Sequence, residues 1–225
     1  MNFKLLLFLL FPVFVFSQKN YHFDYMLTYE TTFLKEDSIK TTNIYLTNSK
    51  DNSYYANLIS EDSLNYRLIF RKYDKISADV LVSKVEFRKA EFINIDCDAI
   101  IKWINTFKSV ANHYEYTNIK DTLIQAKKYA VYNLKSTYSL KKKLKKHAGS
   151  HLYMVDTSYF MHMPMLIHPT AFERWKQQKE SLPNGITVEV IFSNELDEVR
   201  QSKKLVSVFK IDKNIVTPGY CDYWN

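Results

Sequence analysis

The chain has 225 residues, 46% hydrophobic and 24% charged, with a formal net charge of +7. These proportions exclude a disordered chain and a polytopic membrane protein. Three glycines and five prolines leave little room for phosphate-cradling loops, collagen repeats or a Gly-rich linker.

Residues 1–17 read as a secretory signal. Lys4 is the charged start, and Leu5 to Phe16 is an apolar run broken only by Pro12. That run is too short to span a bilayer as a helix and fits a signal core. Val15 and Ser17 are small enough for the −3 and −1 positions, so cleavage is expected before Gln18. The mature chain is then expected in the periplasm or outside the cell, as one domain over 18–213 with a tail at 214–225.

Strands dominate the next third. Tyr21, Phe23, Tyr25, Leu27 and Tyr29 alternate with more polar residues, which predicts a strand over 21–33 with an aromatic face. Polar turns at 35–38, 50–53 and 61–63 separate further strands at 39–47, 54–59 and 64–73. A fifth is expected within 75–88, marked by Val80, Val82 and Val85. Apolar residues at 100, 101, 104, 107, 110 and 111 predict a helix over 98–112 with Asp98 as its N-cap. Strands are expected again at 114–119, 127–138 and 151–156. Thr170 to Glu173, after Pro169, matches a capping box and predicts a helix to about Lys179. A Leu182-Pro-Asn-Gly185 turn leads to a hairpin of 186–192 and 204–211. The fold class is α+β, a curved antiparallel sheet with two or three helices.

Cys97 and Cys221 are the only cysteines. Export permits a disulfide between them that would tie the tail to the body, though spacing alone leaves two free thiols open.

The order of elements, the stretch Ser181-Leu-Pro-Asn-Gly-Ile186, the run Asp121 to Tyr129 and the closing LVSVFKIDKNI resemble secreted GLPGLI-type proteins of the Bacteroidetes envelope. More distantly they are similar to LolA/LppX-like lipoprotein-carrier half-barrels. The resemblance implies a half-barrel whose concave face takes apolar ligands and is capped by helices.

Four groups of residues are candidates for function. Met154, Met161, Met163 and Met165 interleave with His151, His162 and His168; thioether and imidazole suit copper, but methionine also fills adaptable apolar rims. Lys141, Lys142, Lys143, Lys145 and Lys146 could meet anionic lipid headgroups or simply cover a solvated hairpin tip. The strand aromatics, Tyr25, Tyr29 and Phe70 among them, could wall a cavity or only fill the core. Asp96 and Asp98 around Cys97 could do acid–base work, yet capping is the plainer role, and the chain carries none of the common catalytic or nucleotide-binding motifs.

The expectation is therefore a non-enzymatic protein without cofactor, resident metal or nucleic-acid partner. It would hold a lipid or acyl chain with Tyr25, Tyr29, Phe70, Met154, Phe160, Met163 and Met165. The alternatives are a ligand-free envelope interaction module and a copper-binding Met/His segment.

Overall fold

The computed structural model describes residues 18–34, 39–124, 127–219 and 221. The signal segment, the turn at 35–38 and the end of the tail lie outside them.

The first five strands form a meander: β1 (Gln18–Phe33), β2 (Lys40–Asn48), β3 (Asp51–Ser60), β4 (Asn65–Lys72) and β5 (Ile76–Ser83). Its turns are made by side chains that cap their own backbone. Asn48 Oδ1 accepts from the Lys50 and Asp51 amides at 2.8 and 3.1 Å. Asp62 Oδ1 accepts from those of Leu64 and Asn65 at 2.7 and 2.6 Å. Two short strands follow, β6 (Phe92–Asn94) and β7 (Ile100–Lys102), then β8 (Tyr114–Ile124), β9 (Lys127–Ser136), β10 (Ser150–Asp156), β11 (Ile186–Ser193) and β12 (Val199–Pro218). The helices are α1 (Lys84–Lys89), α2 (Lys108–Ala111), α3 (Leu140–Lys146) and α4 (Pro169–Gln177).

All strands join one twelve-stranded sheet in the order β7-β5-β4-β3-β2-β1-β12-β11-β10-β9-β8, with β6 attached to β12. Every pairing is antiparallel except β6 with β12. The edges β7 and β8 are neighbours in the chain but do not pair, so the sheet stays an open, curved half-barrel.

Side chains alternate between two cores, because consecutive strand residues point to opposite faces. The first core holds Leu27, Tyr29, Tyr45, Tyr55, Tyr73 and Tyr153, covered by Leu166, Phe172, Trp175 and Leu182 on and around α4. The second holds Leu46, Tyr54, Leu58, Leu68 and Phe70, covered by Phe87 of α1 and by Ile93 and Ile95. The aromatic row of β1 divides between them: Tyr21 and Phe23 enter the second core, Leu27 and Tyr29 the first. The division falls where the β1–β12 register slips, between Phe23 and Tyr25.

Several elements depart from expectation. The fifth strand ends at Ser83, whose hydroxyl caps α1 by accepting from the Glu86 amide. The helix over 98–112 does not form. Cys97–Ala99 is a single 3₁₀ turn, Ile100 and Ile101 pair with Ala78 and Ser77 of β5, and only 108–111 is helical. β-Branched residues beside an open sheet edge gain more from pairing than from a solvated helix. In α4 the N-cap is His168, with Pro169 opening the helix, so Thr170 and Glu173 make no capping box; both are buried. The lysine run is a helix rather than a hairpin tip. It closes on His147 in the left-handed conformation, φ 49°. Residues 214–218, expected to begin the tail, complete β12. Cys97 and Cys221 are bonded, with Cα atoms 5.4 Å apart.

Candidate functional site

On the first face, between β9–β12 and the segment running from Met165 into α4, lie two adjoining cavities of about 350 and 330 Å³. His151, His168 and Phe192 belong to the walls of both. The larger continues along Phe107, Val110, Tyr114, Leu134 and Tyr138, and reaches Lys146 at the end of α3. The smaller is closed by Tyr153, Met165, Ile167, Val190 and Lys203. Gly149 permits the close approach of β10 to β11 here, since a Cβ at that position would fall 2.3 Å from the Ser193 carbonyl oxygen.

Apolar groups make up most of the wall surface, but the larger cavity is also lined by Ser109, His113, Lys146, His147 and Thr170, whereas the polar side chains of the smaller are His151, His168, Gln201 and Lys203. His151 stands on β10 with its ring 4.9 Å from that of His168 and 5.2 Å from Phe192. Its Nδ1 is buried without a hydrogen-bond partner. Burial, then the neighbouring His168 and Lys203, push its pKa down to about 3, and burial also lowers His168. Both imidazoles are therefore neutral at pH 7. Lys203, on β12, donates to the Tyr45 hydroxyl at 2.8 Å, and its ammonium lies 4.9 Å from the centre of that ring. Burial lowers its pKa to about 8. Among the described residues no carboxylate lines either cavity.

Tyr45 belongs to a ladder that crosses the meander. Tyr29, Tyr45, Tyr55 and Tyr73 follow one another at centroid spacings of 5.8, 6.4 and 6.1 Å. Tyr73 then stacks on Phe172 of α4 at 3.9 Å with planes 7° apart. Tyr29 anchors the row by donating to the Thr187 carbonyl at 2.6 Å. The ladder holds α4 against the sheet and fixes the position of Lys203's acceptor.

The structure gathers only part of the expected ligand-binding set. Tyr25, Tyr29, Met163 and Met165 all pack in or against the first core, and Met165 reaches the cavity. Phe70 is fully buried in the second core, on the other face. Met154 adjoins Tyr153 in β10 and so points away from that residue's face. Phe160 is 67% exposed and Met161 65%. The metal-ligating reading loses His162 as a free donor, since its Nδ1 donates to the Met163 carbonyl at 2.6 Å and its Nε2 accepts from the Thr47 hydroxyl at 3.0 Å. Of the five lysines, Lys142 lies over the Tyr138 ring at 4.1 Å, and Lys146 reaches the cavity. Lys203 escapes the sequence pattern because the expected strand begins at Lys204, whereas β12 begins at Val199. Extending the alternation Leu205, Lys203, Gln201 backwards would have placed it on the core face.

No family model matches the chain, and no curated protein matches it. Among solved structures it is similar to the MucA/MucB complex of Pseudomonas aeruginosa, with a TM-score of 0.42 and 8% identity over 85% of this chain and 52% of that one. A second is an uncharacterized conserved protein of Thermus thermophilus, with a TM-score of 0.44 and 5% identity over 88% and 80% of the two chains. A third is a LolA superfamily protein of Nitrosomonas europaea, with a TM-score of 0.29 and 13% identity over 83% and 84%. The chain spans about half the length of the first of these.

Proposed function

We propose that this protein is a non-enzymatic carrier or binding module of the periplasm or cell exterior that holds an apolar or amphipathic ligand on its first face. The observation that carries the reading is the pair of adjoining cavities, the smaller of which has mainly apolar walls with His151, His168, Gln201 and Lys203 as its polar side chains. Ligand sites have this size and this lining. The disulfide supports export, since such bonds persist in oxidising compartments. So does the apolar run at 5–16. Among the described residues no helix is long and apolar enough to cross a membrane. The lysines of α3, of which Lys146 lines the larger cavity, would meet anionic headgroups, each worth about 1 kcal/mol near such a surface.

The reading is tested by extracting protein purified from its native envelope with organic solvent and weighing what is released. A stoichiometric apolar molecule supports it. A clean extract, from folded protein that also takes up no apolar fluorescent probe, refutes it. Replacing Lys141, Lys142, Lys143, Lys145 and Lys146 by Ser should weaken binding to anionic vesicles; unchanged binding removes the membrane contact. A ligand-free interaction module is the second reading, favoured by the open edge strand β8, where Leu123 is 72% exposed. An exposed apolar edge is a template for a partner strand.

A further inference from the structure

Lys203 is only partly satisfied where it stands: its ammonium lies over the Tyr45 ring but has donors to spare. An ammonium carries three donors, and among the described residues this one makes a single hydrogen bond, to the Tyr45 hydroxyl. Among the described residues no acidic side chain pairs with it. The side chain is half-buried, and a partly buried charge without a counter-charge costs stability, a cost that a Met or Leu at that position would not carry. Its neighbour Lys204 shows the ordinary arrangement: it lies on the opposite face, two-thirds exposed, 3.6 Å from Glu189. The cavity therefore holds one cation among walls that include Met165, Ile167, Val190 and Phe192.

Resting on the carrier reading, we propose that the ligand is a single-chain amphiphile with a carboxylate head, a fatty acid, whose head pairs with Lys203 while its chain lies along the apolar walls. One ammonium matches one negative charge, and ammonium–carboxylate hydrogen bonds are about twice as strong as neutral ones. The smaller cavity, about 330 Å³, lies near the lower end for ligand sites, which favours one medium-length chain over a diacyl lipid.

The test is calorimetric titration of the delipidated full chain with dodecanoate and with dodecanol, each below its aggregation concentration, for the wild type, Lys203→Met and Lys204→Met. Dodecanoate should bind the wild type at least tenfold more tightly than dodecanol. Lys203→Met should bring that ratio to near one through loss of dodecanoate affinity, and Lys204→Met should leave it unchanged. Equal affinities in the wild type overturn the proposal while leaving the carrier reading standing. So does a ratio that survives in Lys203→Met, or one that falls as far in Lys204→Met. Binding of neither compound removes the carrier reading and this inference with it. Should Lys203→Met not fold, the wild-type ratio and the Lys204→Met control still decide.

Discussion

Lowering the pH from 7 to 5 should cost the folded protein about 2 kcal/mol through His151 alone. In the unfolded chain this imidazole takes up its proton near the ordinary value of 6.5; in the cavity it holds off until about 3. The unfolded state therefore binds more protons at every pH between the two. Stability that is full above 6.5 is lost as the pH falls. At pH 5 the deficit spans about 1.5 pH units, at about 1.4 kcal/mol each. It holds as long as the folded pKa stays below 5, so water entering the cavity changes it little. For a chain of this size the loss corresponds to a fall in Tm of about 4–8 °C. His162 and His168 are lowered by burial as well and act in the same direction. The lowered carboxylates of Asp74, Asp79 and Asp156 release their contributions only below about pH 4. The assay is thermal unfolding of wild type and His151→Leu from pH 7 to 4.5. The variant should lose less stability over that range by about 2 kcal/mol. Parallel curves for the two proteins would refute the reasoning, because they would mean that His151 protonates as easily folded as unfolded.

Three further outcomes follow from the packing. Reducing Cys97–Cys221, which spans 124 residues, should lower stability by about 5 kcal/mol on the chain-entropy account; an unmoved urea midpoint with reductant would contradict it. Phe70→Ala should cost about 3–5 kcal/mol yet leave binding of an apolar probe unchanged in protein that remains folded, because Phe70 lies in the second core; lost binding would place the ligand on the other face. Gly185 has φ 150°, and a Cβ there would meet the Asp156 carbonyl oxygen and Val155 Cγ1 at 2.6 Å. Gly185→Ala should therefore cost more than about 1 kcal/mol, and a denaturation midpoint equal to wild type would refute the close approach.

What the sequence revealed was local. Strands in which apolar and polar residues alternate were legible, as were the turns made by Asn48 and Asp62. The helix at 98–112 misled because Ile100 and Ile101 sit at helical spacing, while the gain they follow is cross-strand pairing with β5, which no window contains. The lysine helix α3 carried a weak signal in Leu140 and Leu144 at i, i+4, hidden by the charge around it. The aromatic row of β1 read as one wall, yet Tyr21 and Phe23 serve one core and Leu27 and Tyr29 the other. A register slip against the distant strand β12, where Phe23 lies opposite Lys213 and Tyr25 opposite Lys210, decides that, and periodicity cannot reveal it. Of the cavity walls, Met165 and Lys146 carry a signal toward ligand or headgroup, His151 and His168 one that points to copper instead, and Lys203 none. A site assembled by β10, β12 and the chain leading into α4 depends on tertiary contacts that the sequence pattern does not contain.

The pairing of the first described strand with the last has a consequence for how the molecule is made. Gln18 lies opposite Pro218 and Phe33 opposite Gln201, in the middle of the sheet. A chain delivered N-terminus first holds β1 with one side unmatched until the final 20-residue strand has been released. Two separate meanders must wait, and the join between them spans nearly the whole length, which is the slow kind of folding. The same adjacency makes it a good subject for rearrangement. Joining residue 221 to residue 18 through a short linker, which keeps Cys221 in its disulfide, and opening the chain at the turn 195–197 would make β12 and β1 a local hairpin, and the permuted protein should fold faster than its parent.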